Sequence, residues 1–312
     1  MTVTVDPRRV ECVVRGRNQL GETPLWCERE RKLWWLDIER PKLQSFEPSS
    51  GAHRVVPFDQ AAYLGSLALG DDGSQLLALD LALHRRAPSG EISLFARVEQ
   101  GLDNRLNDGR VDARGRFWVG TMDNQLHRPN GALYRVDPDG RVHRMLDDGV
   151  IVSNGIAFSP DGKTMLFTDT RRHTTWRFDV DLDDGTLSNR RVFADHTATG
   201  ERPDGACVDA DGCFWIAFFA GRRIVRHRPD GAIDLAVPMP VTNPTCACFG
   251  GPDLRTLYVT TAAKFLSPEQ LAAEPLAGGL FAIEGLGQGL PEHRFRFTPT
   301  SLTPPLHGVA RT

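Results

Sequence analysis

The sequence contains no apolar run long enough to cross a bilayer, and its first residues, Met-Thr-Val-Thr-Val-Asp-Pro-Arg-Arg, carry no continuous apolar segment of the kind that directs export. Neither sign of charge dominates. The 37 basic residues stand against 40 acidic ones without a long block of either, which gives no footing for a nucleic-acid or anionic-membrane partner. The six cysteines (Cys12, Cys27, Cys207, Cys213, Cys246, Cys248) show no Cys-x-x-Cys pair and no zinc spacing. They lie mostly among apolar residues, as buried free thiols do, and although an even count leaves disulfides open, a reducing cytoplasm is the expected setting. Helical periodicity over three or more turns is missing. The one helix candidate is Ser267 to Ala273, with Ser267 as N-cap and Pro268 at the first helical position. There is no Ser/His/Asp signature and no glycine-rich phosphate loop.

What is present is a repeat. A turn followed by an apolar strand recurs at Glu28 to Asp37, Asp71 to Asp80, Asp112 to Met122, Ser159 to Asp169, Asp209 to Phe218 and Gly251 to Thr261. The turn glycines of the four best copies, Gly73, Gly115, Gly162 and Gly212, are 42, 47 and 50 residues apart. A second hairpin follows each unit, as at Leu133 to Met145 around Asp137-Pro138-Asp139-Gly140. Four strands per unit, six units and a period in the forties predict an all-β fold, a six-bladed β-propeller with a central channel. After the sixth unit, Leu280 to Ile283 supplies a third strand, and the ring needs a fourth. Val10 to Val14 is the first candidate to close it, and Phe295 to Phe297 the rival. No linker or composition shift divides the chain of 312 residues, so one domain is expected over 1–298, with a fraying tail over 299–312.

In such a ring the first strand of each blade lines the channel. Asn107, Asn154 and Asp204 each stand eight residues before their turn glycine, so equivalent registers deliver three polar groups to one place. The first blade offers Glu22, the sixth offers Asn243 at the same offset before Gly251, and the second only Gly65. Any one Asn-Gly or Asp-Gly alone reads as a turn, and Glu22 alone as a surface glutamate. Their shared offset in separate repeats is what points to a site. Two carboxylates with amide oxygens are hard ligands that suit Ca²⁺, Mg²⁺ or Mn²⁺, with Zn²⁺ or Fe²⁺ as alternatives. The turn acids Asp112, Asp161 and Asp209 recur in every good copy and read as structural. Trp26, Trp34, Trp35, Trp118 and Trp215 read as packing between blades, and His173 as an exposed loop histidine.

Several motifs then occur together, in one order and at matching spacing over residues 18 to 285. They are Gly21-Glu22-Thr23-Pro24-x-Trp26, Arg105-x-Asn107-Asp108-Gly109 running on to Gly120-Thr121-Met122, Ser153-Asn154-Gly155, Asp169-Thr170 and Pro203-Asp204-Gly205. This set resembles the senescence-marker-protein/gluconolactonase family. The resemblance implies a six-bladed propeller, one divalent metal cation, and hydrolysis of a sugar lactone to its aldonic acid. It makes Glu22, Asn154 and Asp204 the metal ligands and places Arg105 and Asn107 against the substrate. Family members resembling regucalcin carry an acidic pair after Gly-Thr-Met that reaches the substrate. Here the segment is Asp123-Asn124-Gln125, leaving Gln125 as the candidate contact and changing how sugar hydroxyls are met. Asp204, with one carboxylate oxygen free, is the candidate general base, and Arg105 the candidate support for a developing oxyanion. Two other classes fit the same pocket: hydrolysis of an aryl ester or phosphotriester, and a cation-binding or protein-docking propeller without catalysis. Oligomeric state is not readable from the sequence.

Overall fold

The Pro-, Asp- and Gly-rich turns join neighbouring strands in antiparallel pairs, and the computed structural model describes residues 2–146 and 148–298 of the chain. Six sheets result, one per repeat. Their first strands are Gly21–Cys27, Leu64–Leu69, Asn104–Val111, Ser153–Phe158, Arg202–Val208 and Pro244–Gly250. Each touches the next, and the last returns to the first, so the architecture is the expected six-bladed propeller. Burial follows position in the blade. Ser153–Phe158, beside the axis, is buried throughout, whereas the outermost strand of the same blade, Leu187–Asp195, is mostly exposed.

Closure comes from the N-terminus. Glu11–Val14 pairs antiparallel with Leu280–Glu284, which removes the open edge of the sixth blade. The rival segment lies elsewhere: Phe295 is fully buried, in edge contact with Phe95 at 5.4 Å and Phe297 at 4.7 Å. It belongs to a strap formed by the chain after Glu284, which crosses the end of the channel where the first strands finish. The strap accepts from Ala210 N–H at Gln288, donates from Phe295 to Leu69 C=O, and donates from Thr298 to Pro138 C=O, touching three blades. The sequence pattern did not show one further strand, Val3–Thr4, which adds parallel to the outer strand of the fifth blade. The tail expected over 299–312 lies outside the described residues.

Apolar residues fill the wedges between blades. Trp118, Phe158, Phe167 and Phe178 cluster between the third and fourth blades, and Trp215, Phe249, Leu257 and Phe281 between the fifth and sixth. Burying a tryptophan of this kind stabilises the fold by roughly 4–6 kcal/mol before entropy is counted. The indoles also have polar anchors. Trp118 Nε1 donates to Asp112 at 2.8 Å and Trp215 Nε1 to Asp209 at 2.9 Å, which accounts for those turn acids. In the fourth blade Ser159, not Asp161, holds the equivalent place, its C=O receiving the N–H of Gly162. The glycine is needed there because φ is +71°, a left-handed conformation that costs a side-chain-bearing residue energy. The short helix is Pro268–Ala273, capped by Ser267 in a full capping box with Gln270. All six cysteines are free. Among the described residues no helix is long and apolar enough to cross a membrane.

Candidate active site at one end of the channel

Every first strand carries a β-bulge at its entry. Residues 23 and 24 together oppose one residue of the second strand, as do 107 and 108, 155 and 156, and 204 and 205; Gly65 and Thr245 are single insertions. A bulge bends the strand and re-aims its side chains, and here it does so at the same level of all six strands. The loops leading in are held by acids at the ends of the second strands. Asp37 accepts from the N–H groups of Gln19 and Leu20 at 2.9 and 3.0 Å, just ahead of Glu22. Asp169 accepts from those of Ile151 and Val152 at 2.9 and 3.2 Å, just ahead of Asn154.

Glu22, Arg105, Asn107, Asn154 and Asp204 consequently line one cavity of about 90 Å³ at the entry end of the channel. An amide relay ties three blades together. Arg105 Nη1 donates to Asn107 Oδ1 at 2.5 Å, and Asn107 Nδ2 donates to Asn154 Oδ1 at 3.0 Å and to Ser153 C=O at 2.8 Å. Asn154 Nδ2 donates to the Thr170 hydroxyl at 2.8 Å, which itself donates to Pro203 C=O at 2.7 Å, beside Asp204. The second blade contributes no side chain because a Cβ at Gly65 would stand 2.0 Å from the carbonyl oxygen of Leu106. Asn243 is used elsewhere: its amide accepts from Ala220 N–H and donates to Lys264 C=O. Gln125 stands apart from the cavity, exposed, with its amide donated to Asp103 at 3.2 Å. His173 is half-buried rather than exposed, its ring nitrogen meeting Glu201 C=O.

The acids of this site are under-compensated. Burial, reinforced by the charge of Asp108, pushes Glu22 from 4.5 up to about 8. Burial and then the charges of Glu22 and Asp108 push Asp204 well above the usual carboxylate range, against the pull of Arg105. Asp108 itself is raised to about 6 by burial, although it accepts from Ile156 N–H at 2.7 Å. Among the described residues Glu22 receives one hydrogen bond, from Thr23 N–H at 2.9 Å. Mutually repelling carboxylates in a water-poor site, beside an amide oxygen with a spare lone pair, form a donor set that a divalent cation fits. Among the described residues no three His, Cys, Asp or Glu side chains converge as a metal cluster, so such an ion would depend on the amide of Asn154.

Five residues at or beside the site carried no separate signal in the motif reading: Asp108, Thr170, Arg202, Lys264 and Phe265. Register could have found Arg202. It lies two residues before Asp204, as Arg105 lies two before Asn107, Val152 two before Asn154 and Leu20 two before Glu22, and all four line the cavity mouth. Phe265 stands on the same side as Arg202, 65 % exposed at a φ of +63°, its ring 6.2 Å from that of Phe219, the strand partner of Arg202, with the Lys264 ammonium 4.7 Å above it.

The model of the SMP-30/gluconolactonase/LRE-like region matches residues 20–263. The chain is 40 % identical to 6-deoxy-6-sulfogluconolactonase of Pseudomonas putida, over 88 % of this chain and 94 % of that protein. It is 37 % identical to L-arabinolactonase of Azospirillum brasilense, over 91 % and 94 % of the two chains. The crystal structure of a calcium-binding protein, regucalcin from Agrobacterium tumefaciens, superposes with a TM-score of 0.87 at 31 % identity, over 91 % of this chain and 96 % of that one.

Proposed function

The chain belongs to the SMP-30/gluconolactonase/LRE-like family, and from that membership together with its channel-end acids we propose that it hydrolyses a sugar lactone to the aldonic acid. The relatives named as lactonases support the reaction class. The observation that carries the reading is the convergence of Glu22, Arg105, Asn107, Asn154 and Asp204 on one cavity. Glu22, Asn154 and Asp204 would hold a divalent cation, one of Ca²⁺, Zn²⁺, Mn²⁺, Mg²⁺ or Fe²⁺. When bound, it would supply Lewis-acid polarisation of the lactone carbonyl and acidify water.

Asp204 takes a proton from the attacking water as the water oxygen bonds to the carbonyl carbon. Its burial and acidic neighbours favour the protonated form in the cation-free site; with a cation held between Glu22 and Asp204, the latter would return to the carboxylate that a base requires. After Nη1 is used on Asn107 and Leu106 C=O, the other two guanidinium nitrogens of Arg105 have no hydrogen bond among the described residues and would meet the developing negative oxygen. When the ring C–O bond breaks, Asp204 returns the proton to the departing alkoxide, which leaves the open-chain acid. Asn107 orients both partners through its links to Arg105 and Asn154. The free thiols suit a reducing compartment, and we place the protein in the cytoplasm.

The test is a pH-stat panel of γ- and δ-aldonolactones on chelator-stripped protein with each cation added back, spontaneous opening subtracted. Turnover that appears only with a cation supports the reading. No turnover on any lactone with any cation ends it.

A further inference from the structure

The cavity mouth holds more positive charge than a neutral sugar lactone requires. Arg105, Arg171, Arg202 and Lys264 line it, against Glu22 and Asp204 at its floor. The two floor acids are matched by the cation that the lactonase reading assigns to them. Lys264 is matched by an ion pair with Glu39. Arg171 and Arg202 are not matched. Arg171 donates Nε to Leu126 C=O at 2.9 Å, which leaves both terminal nitrogens of its fork without a partner among the described residues. Arg202 is half-buried and makes no side-chain hydrogen bond or ion pair among the described residues.

Nearby acid does not explain this. Glu201, the residue beside Arg202, is held by Arg223 and His196. Exposed arginines elsewhere, such as Arg17, Arg31 and Arg54, also lack a side-chain partner among the described residues, so what sets Arg171 and Arg202 apart is their place in the lining of the candidate active-site cavity. Both residues line that one cavity, and the elements that carry them are joined. The hydroxyl of Thr170 donates to Pro203 C=O at 2.7 Å, which ties the turn carrying Arg171 to the strand carrying Arg202. Position separates their task from the chemistry. Arg202 shares the register of Arg105 but is half-buried where Arg105 is buried, so it stands nearer to solvent and faces a part of the substrate remote from the reacting carbonyl.

We propose that the lactone carries a sulfonate or phosphate at the end remote from its ester carbonyl, and that Arg202 with Arg171 forms the subsite for that group. Two planar forks supply more donors than one carboxylate can accept, whereas a tetrahedral oxyanion has three oxygens to offer. The inference rests on the lactonase reading for the reaction but not for the binding, which separates the ways the two can fail.

The full-length, cation-loaded protein is assayed on a hexono-lactone, its 6-sulfonate and its 6-phosphate, and calorimetry measures binding of the three ring-opened acids. The charged lactones should exceed the neutral one in kcat/KM by at least about tenfold, with a KM that rises with salt. Arg202→Gln should cut the charged-to-neutral ratio by at least about tenfold, and Arg202→Lys should restore part of it. Which charged lactone leads identifies the group. A ratio near one in the parent, or a ratio unchanged in Arg202→Gln, overturns the proposal. If no lactone is opened, the lactonase reading falls and calorimetry decides alone: tighter binding of a charged acid to the parent than to Arg202→Gln sustains the subsite, and equal binding removes it.

Discussion

The inner hairpins carry buried carboxylates in opposite states at their two ends: Asp112 and Asp209 at the turn end of the third and fifth blades, Glu22 and Asp204 at the entry end of the first and fifth. At the turn end, Asp112 accepts from the N–H groups of Arg114 and Arg116, from Arg116 Nε and from the Trp118 indole, at 2.6 to 3.0 Å. Asp209 accepts three hydrogen bonds in the same pattern. At the entry end, among the described residues, Glu22 receives one and no side-chain donor reaches Asp204. Both sets are buried and recur with the repeat. Burial alone therefore does not separate a structural acid from a functional one. The separation lies in whether the fold supplies the donors: a satisfied carboxylate locks a turn, while an unsatisfied one leaves its lone pairs for a ligand.

That contrast is broken most severely by exchanging one acid at each end. Asp204→Asn should lower turnover by a factor of about 10² or more, about 2.7 kcal/mol of transition-state stabilisation, while the melting temperature holds or rises because a repelling charge has gone. Kinetics and calorimetry on one sample read both. Activity within about tenfold of the parent would take Asp204 out of the base role. Asp112→Ala should do the reverse. It strands the Arg116 guanidinium and the Trp118 indole N–H, and should cost about 3 kcal/mol of stability by denaturant titration, with turnover per folded molecule kept.

A pH series sharpens the comparison at smaller scale. The folded-state pKa of Glu22 is raised, from 4.5 to about 8, so between those values the folded chain keeps a proton that the unfolded chain has lost. The stability of cation-free protein should fall as pH rises through that window and level off above it. Adding a divalent cation should raise the melting temperature, and by more at pH 8 than at pH 5, because protons and the cation compete for the same oxygens. Glu22→Gln should flatten the first slope and weaken the second effect. A stabilisation by cations that is independent of pH would move the ion away from Glu22.

The propeller was legible because its signals are local. Turn chemistry and strand alternation act within about ten residues, and six near-copies let weak copies be read through strong ones. The convergence of Glu22, Asn107, Asn154 and Asp204 was legible for the same reason, since a shared register becomes a shared place once the ring closes. Contacts between unlike segments were not legible. Val3–Thr4 is too short to show a period. Asp37 and Asp169 ended the apolar strands in the sequence, and nothing there told that they clamp the loops ahead of Glu22 and Asn154. Arg202 could have been found by stepping back one strand repeat from Asp204. Its lack of a partner could not, because that depends on Glu201 being taken by Arg223.

The smallest expected effect concerns Gln125, where resemblance and geometry part. By position it follows Gly-Thr-Met and inherits a substrate contact, yet its amide is turned to Asp103, which also engages Asn124 and Arg128. Asp123, two residues earlier, is fully buried and held by the N–H groups of His127 and Arg128 together with the Arg128 guanidinium, so the segment is anchored from within. A side chain on an anchored loop, already paired and facing solvent, has little to lose on truncation. Gln125→Ala should therefore change kcat/KM by less than about twofold on any lactone that the parent opens. A larger loss confined to KM would mean that the amide leaves Asp103 when substrate enters, and Asp103→Ala, which frees Gln125 beforehand, should then lower KM instead of raising it.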